Sequence, residues 1–317
     1  MKYKFIDRHN FNNYLPEIEN LYIESFNSKK GTDYFKWRYL ENPYEDIQMI
    51  VAFEGDKLAS LYAVSPKEIL YNNRKIKTAI SLNTMTRREY RGRGLFVDLA
   101  NKLYDRMGDC GYEMVWGYPN NISHRTFIKK LGWKNIYEIP TLEVNRNDLK
   151  LSSNEKIDNI KIINDDSFEC NYDNLSIDNS KIIINKDSSI LKWRYLHNPN
   201  NKYYNFCIVD NNRVVSFIVV KIYGKLLNIV DYRYRSIDEF ICILRHIITD
   251  RKFNNIDKVT LWNGINSDLR SFLEKIGFYN NYPIRYFGGK LLNTKIKKDD
   301  FMNWNNWQLN MGDNNEY

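Results

Sequence analysis

Nowhere in its 317 residues does the chain hold a run of about 18 apolar residues, so a membrane-spanning helix is excluded. Cysteine is scarce. The four, Cys110, Cys170, Cys207 and Cys242, stand far apart, with no Cys-x-x-Cys pair and no histidine at ligand spacing. That pattern supports neither a zinc site nor a disulfide framework; buried free thiols and no bound metal are expected. The opening residues, MKYKFIDRHN, lack the apolar stretch of a secretory leader, so a cytoplasmic protein without membrane insertion is expected. Neither sign of charge is missing. The 47 basic and 39 acidic residues give a net +8, but they are mixed rather than blocked, and no nucleic-acid partner is expected.

What the chain does have is core-forming material: 43% hydrophobic and 15% aromatic residues, with 27% charged. That excludes wholesale disorder, and the length suits about two domains of roughly 150 residues. The chain also repeats itself. Phe35-Lys36-Trp37-Arg38-Tyr39-Leu40-Glu41-Asn42-Pro43 returns as Leu191-Lys192-Trp193-Arg194-Tyr195-Leu196-His197-Asn198-Pro199. Each copy is followed by a hairpin pattern, with Glu54-Gly55-Asp56 and Asp210-Asn211-Asn212 as its turns. Further on, residues 121–133 align without gaps to residues 266–278, each run following a strand-like segment. Two ordered matches define a tandem of one fold rather than a solenoid. The expected division is residues 1–145, a polar linker at 146–159, a second copy at 160–298, and a C-terminal extension at 299–317. Trp304 and Trp307 should pack that extension down.

Within the first copy, residues 76–86 read as a strand. A helix follows from Leu95, with Leu99, Leu103 and Met107 on one stripe, closed by Gly108 and Gly111. Residues 112–118 read as the next strand and 123–131 as a short helix ending at Gly132. Strands alternating with helices around a mixed sheet make an α/β (α+β) layered fold.

Between the first of these strands and its helix stands Arg87-Arg88-Glu89-Tyr90-Arg91-Gly92-Arg93-Gly94. A glycine-rich turn that opens a helix aims several backbone N–H groups at one point, which with the helix dipole makes an anion site. Four arginines suit a ligand with several phosphates. The loop lacks the further glycine of a dinucleotide-binding turn and the Gly-Lys-Ser/Thr of a P-loop, which disfavours NAD and ATP.

Glu89-Tyr90-Arg91-Gly92-Arg93-Gly94-Leu95, the helix after it, and the run from Asn121 to Lys129-Lys130-Leu131-Gly132-Trp133 resemble the GNAT superfamily of acyl-coenzyme A N-acyltransferases. The resemblance implies two tandem GNAT-like domains, each a mixed central sheet flanked by helices. It implies acetyl-coenzyme A as co-substrate, its pantetheine arm paired to the backbone of the strand before the loop at Thr84, Met85 and Thr86. Its pyrophosphate would be held by Arg91, Gly92, Arg93, Gly94, Leu95 and Phe96, with Asn121 near the pantetheine. The strands at 80–86 and 113–118 should splay to admit the thioester, and an acceptor amine should attack the acetyl carbonyl directly in a ternary complex.

The chain departs from the family pattern at three points. Phe96 stands where one register of the motif has Gly or Ala, Ile128 where a tyrosine usually protonates the leaving thiolate, and residues 76–86 contain no acid to serve as base. His124 and Tyr118 are the candidate catalytic groups nearby; Glu41 is set aside because its counterpart is His197, and the shared Trp, Arg, Asn and Pro read as shaping a helix end and turn. The second copy has no glycine in 231–240, so it reads as a degenerate GNAT-like domain. The expected acceptor is a small primary amine, by analogy an amino sugar. Tandem architecture also resembles mycothiol-synthase-type and Fem-type enzymes, so an aminoacyl-tRNA-dependent transferase is one alternative. A non-catalytic coenzyme A-binding module is the other.

Overall fold

The computed structural model describes residues 1–44, 46–151, 161–173, 175, 179–293 and 295–314. The first half runs β1 (Lys2–Ile6), α1 (Phe11–Phe26), α2 (Thr32–Tyr39), β2 (Gln48–Glu54), β3 (Lys57–Tyr71), β4 (Arg74–Thr86), α3 (Leu95–Asp109), β5 (Met114–Gly117), α4 (Asn121–Leu131) and β6 (Lys134–Asn145). The second runs β7 (Ile162–Asn164), β8 (Ile183–Ile184), α5 (Ser188–Leu191), β9 (Tyr204–Asp210), β10 (Arg213–Tyr223), β11 (Leu226–Arg233), α6 (Ile237–Thr249), β12 (Lys258–Trp262), α7 (Asp268–Lys275), β13 (Tyr279–Leu291) and α8 (Lys298–Phe301).

Two compact units result. The first holds Met1–Tyr137 and Tyr286–Asn306, the second Glu138–Arg285 and Trp307–Tyr317. Contacts therefore divide the chain differently from the repeat, since the last strand of each copy serves the other's sheet. In the first unit the order is β1-β2-β3-β4-β5 and then the end of β13, antiparallel except for the parallel β4/β5 pair. In the second it is β7-β9-β10-β11-β12 and then the end of β6, again with one parallel pair, β11/β12. One mixed-sheet topology thus occurs twice, flanked by helices. The close approach of β13 to β5 depends on glycine: a Cβ on Gly289 would lie 2.4 Å from Met114 Cε and 2.8 Å from the Val115 carbonyl oxygen.

Strand alternation in the first unit separates two apolar layers. Met49 and Val51 face α1 and α2, with Phe11, Ile18 and Phe35. Ile50 and Ala52 face α3 and α4, with Leu99, Leu103 and Phe127. The hairpin turns fall where the sequence puts them; Asn211 and Asn212 both take left-handed φ, 48° and 59°. The α3 stripe is as expected, but Gly108 stays helical and Gly111 alone takes the left-handed turn, at φ 80°.

The repeated Lys-Trp-Arg-Tyr-Leu forms the end of α2 in one copy and a π turn, Lys192–Leu196, after α5 in the other. Both arginines are buried. Arg38 lies 4.7 Å over Trp37, and the Asn42 amide donates to Ser65 Oγ at 3.0 Å, while Glu41 is exposed. Of the expected linker, Arg146–Asp148 form a 3-10 turn, and 152–159 lie outside the described residues. The extension packs down: Trp304 stacks on Tyr137 at 5.0 Å in the first unit, and buried Trp307 bridges to Ile182 in the second. Also in the second unit, Lys186 Nζ lies 2.7 Å from Asp231 and 2.6 Å from Asp313, the side chains of all three largely covered. The Tyr195 hydroxyl and Asn310 amide also donate to Asp231. Among the described residues no helix is long and apolar enough to cross a membrane.

Candidate functional site

β4 builds the site by outrunning its neighbour. It pairs with β3 as far as Thr86 but with β5 only from Thr78 to Ile80. Beyond Ile80 the parallel strands part, because β5 stops at Gly117 and the chain turns through Pro119 into α4. Tyr62 faces Thr84 while Val64 faces Ser81, so β4 carries one extra residue, a bulge, where the opening starts. On the side away from β3, residues 81–86 then present an edge with no strand beside it among the described residues, open to backbone pairing.

At the far end of that edge lies the arginine-glycine loop. Gly92 and Gly94 take φ of 78° and 80°, which side-chain-bearing residues resist. Gly94 is the residue before α3 and has no side chain to cap it. The first N–H groups of a helix have no partner within it, and those of Gly92 through Phe96 meet no acceptor among the described residues. Converging N–H groups at a helix N-terminus favour an anion.

The four arginines are not alike. Arg91 and Arg93 are exposed: Arg91 Nε donates to the Thr86 carbonyl at 3.0 Å, and Arg93 Nη2 donates to the Glu89 carbonyl at 3.2 Å while its Nη1 pairs with Glu54 at 3.7 Å. Arg88 is exposed. Arg87 is buried: its Nε donates to the Leu58 carbonyl at 2.7 Å and its guanidinium pairs with Glu24. Of the four arginines expected to suit a polyphosphate, Arg87 is thus taken up in tying the end of β4 to α1.

The other candidate residues fall as follows. Thr84 and Thr86 are half-buried on β4, and Thr86 Oγ1 lies 2.8 Å from Ser60 Oγ; Met85 and Leu95 bury their side chains in the core, leaving only their main chains available. The Phe96 ring packs against Tyr62 and Phe127, at 5.7 and 5.2 Å. Asn121 is exposed at the start of α4; Asn120 is the residue that caps that helix, accepting from the N–H groups of Ile122 and Ser123. His124 stacks on Tyr286 at 4.2 Å, with Nε2 3.4 Å from Asn135 Oδ1. Tyr118, just past β5, is half-buried with its ring 5.5 Å from Phe287. Ile128 packs against the α3-side core.

Two features escape the sequence. A buried chain links Trp133 Nε1 to the Tyr104 hydroxyl at 3.1 Å, Tyr104 to Tyr62 at 2.7 Å, and Tyr62 to Ser81 Oγ at 3.0 Å. Burial pushes Tyr62 up to about 12 and Tyr104 well above the ordinary tyrosine value. The only sequence signal was a set of aromatics that reads as plain core. The second feature concerns the thiols. Only Cys207 is buried; Cys170 and Cys242 are half-buried and Cys110 exposed, so the expectation of buried thiols fails for three of the four. Ligand atoms of Asp165, Cys170 and Cys207 lie within 4.8 Å of one another. The Asp165 carboxylate is, however, already taken up by the N–H groups of Glu169 and Cys170 and the Tyr172 hydroxyl.

Residues 8–136 match the family model of the acetyltransferase (GNAT) domain. That stretch of the chain is similar to the GNAT domain. Solved structures share the fold over 92% of the chain. One is a conserved protein of unknown function from Enterococcus faecalis V583, described as a probable N-acyltransferase, with TM-score 0.71, 12% identity and 73% of that chain covered. Another is Eis1 from Mycobacterium abscessus, with TM-score 0.64, 11% identity and 74% covered. A tandem GNAT protein of the clavulanic acid biosynthesis pathway matches over 93% of this chain and 100% of its own, with TM-score 0.58 and 9% identity. No curated protein matches the sequence significantly. The fold is shared with solved GNAT proteins, one of them tandem, and residues 8–136 are similar to an acetyltransferase domain.

Proposed function

We propose that this chain is an N-acetyltransferase that moves an acetyl group from acetyl-coenzyme A to the primary amine of a small acceptor, by direct attack in a ternary complex. The observation that carries the reading is the set of unpaired N–H groups from Gly92 to Phe96, beside Arg91 and Arg93, at one end of the open β4 edge. Those groups fit a pyrophosphate; the backbone of Thr84, Met85 and Thr86 fits the pantetheine arm. Bound there, acetyl-coenzyme A supplies the activated acetyl carbon, and the protein holds it for attack. Orientation of this kind contributes about 7–11 kcal/mol to rate, so an enzyme without a strong acid or base can still be effective. His124 and Tyr118 remain the proposed proton-handling groups, and Asn121 a pantetheine contact. The acceptor we favour is an amino sugar.

The second copy acts in this reading as a degenerate domain. Where α3 begins with a glycine, α6 begins with Ser236, whose Oγ accepts the Glu239 N–H at 3.3 Å. The buried Glu239 carboxylate accepts from Arg235 Nε at 2.9 Å and from Ser216. A helix start already capped and carrying its own anion disfavours a phosphate. The absence of an acid in 76–86 and of a hydroxyl at Ile128 supports a second reading, a module that binds coenzyme A without turnover. Thiol release from acetyl-coenzyme A over a panel of primary amines, amino sugars included, separates the two. Amine-dependent release supports transfer, and stabilisation by the coenzyme with no release supports the module.

A further inference from the structure

We propose that the Ser81 hydroxyl is a hydrogen-bond donor to the reacting thioester, oriented by the buried chain Trp133–Tyr104–Tyr62. The inference rests on the acyl-transfer reading and deepens it. Its first support is direction. An indole N–H only donates, so the Tyr104 oxygen accepts from Trp133, and its own proton goes to Tyr62, 2.7 Å away. The Tyr62 proton in turn goes to Ser81 Oγ at 3.0 Å. In the reverse order the Tyr104 oxygen would accept from both Trp133 and Tyr62, leaving its own buried proton without an acceptor among the described residues. Ser81 thus accepts from within, and its own proton meets no acceptor among the described residues.

The second support is position. Ser81 is the first β4 residue past the last pair with β5, at the narrow end of the open edge. Across from it stands Gly117, where a Cβ would come 3.3 Å from Ser81 Cβ, so β5 leaves the place clear of side chain. Ser81 is half-buried while Tyr62 and Tyr104 are buried, which puts the chain's one outward donor at the opening. From Thr86 to Ser81 a strand spans about 16 Å, commensurate with a pantetheine arm anchored at the loop and extended along β4. The thioester then arrives at Ser81.

In the reaction the amine nitrogen bonds to the acetyl carbon, and the carbonyl π pair moves onto oxygen. On collapse the C–S bond breaks with its pair on sulfur, and the proton displaced from nitrogen passes to His124, the group proposed above to handle it, and from there to water. Ser81 keeps its proton throughout and stabilises the negative charge by its hydrogen bond, a fixed donor aimed where charge develops. Tyr62 and Tyr104, whose hydroxyls burial keeps protonated, position Ser81 and relay nothing.

The test compares wild type with Ser81→Ala, Ser81→Thr and Tyr62→Phe, by calorimetry with acetyl-coenzyme A and by thiol release over the amine panel. Ser81→Ala, which leaves the buried Tyr62 hydroxyl without its acceptor, is expected to melt lower but still fold and keep its acetyl-coenzyme A affinity while kcat falls on the order of 100-fold, with Ser81→Thr restoring most of both. Tyr62→Phe is expected to lower kcat with KM for acetyl-coenzyme A unchanged. Full turnover by Ser81→Ala with binding intact overturns this inference and leaves the acetyltransferase reading standing. Wild-type binding without thiol release overturns the Ser81 role while the coenzyme site survives. No binding by the folded wild type overturns both.

Discussion

Arg87 and Arg91 stand four residues apart in one basic run, yet their surroundings assign them opposite tasks. Arg87 is sealed between the Leu58 carbonyl and Glu24, so Arg87→Ala should cost about 2 kcal/mol of stability, read as a lowered denaturation midpoint. Arg91, exposed and held by one carbonyl, should lose little stability on change to Ala. Its loss should instead weaken acetyl-coenzyme A binding, and the salt dependence of that binding should shrink with it. The sequence displays four equivalent arginines because burial is not a local property. The Ser81 chain was hidden for the same reason: its members lie at 62, 81, 104 and 133, and only the sheet and α3 bring them together. The glycines of the loop were legible because their task, a left-handed turn opening a helix, is written in adjacent residues.

Helices and hairpins were legible at the scale of the element. The α3 stripe and the Asn211-Asn212 turn follow from local spacing and local backbone preference. The strand exchange was not, since nothing in residues 286–291 says which neighbour their backbone will meet. Gly289 is the physical trace of that choice, with a Cβ there clashing with Met114 and Val115. Gly289→Ala should therefore destabilise the first unit by about 1–3 kcal/mol. Thermal unfolding with acetyl-coenzyme A present and absent would check it, the coenzyme restoring part of the loss by binding the native site.

For the whole molecule, the same exchange predicts that cutting the chain at the expected linker will not yield two sound halves. A fragment ending near residue 150 keeps β1 to β5 but lacks Tyr286–Asn306, a part of its own unit. It should unfold well below the intact chain in a circular-dichroism melt. Acid should act on the second unit. Burial tends to raise the Asp231 carboxyl, but Lys186, with help from Tyr195 and Arg233, holds it below its ordinary 3.8. A lowered native value means that this contribution to stability is full above 3.8 and is lost as pH falls through the native value. Asp231→Asn should be less stable than wild type at neutral pH, and the gap should narrow on acidification below 3.8, as read from denaturant midpoints.

The loop between β4 and α3 is the proposed seat of acetyl-coenzyme A, and isothermal titration with that ligand puts this placement to the test. Wild type should bind with micromolar affinity. The double variant Arg91→Ala/Gly94→Pro, which removes one loop N–H and forbids the left-handed turn, should fold and give no binding heat. Equal binding by both proteins, or none by the folded wild type, would overturn that placement.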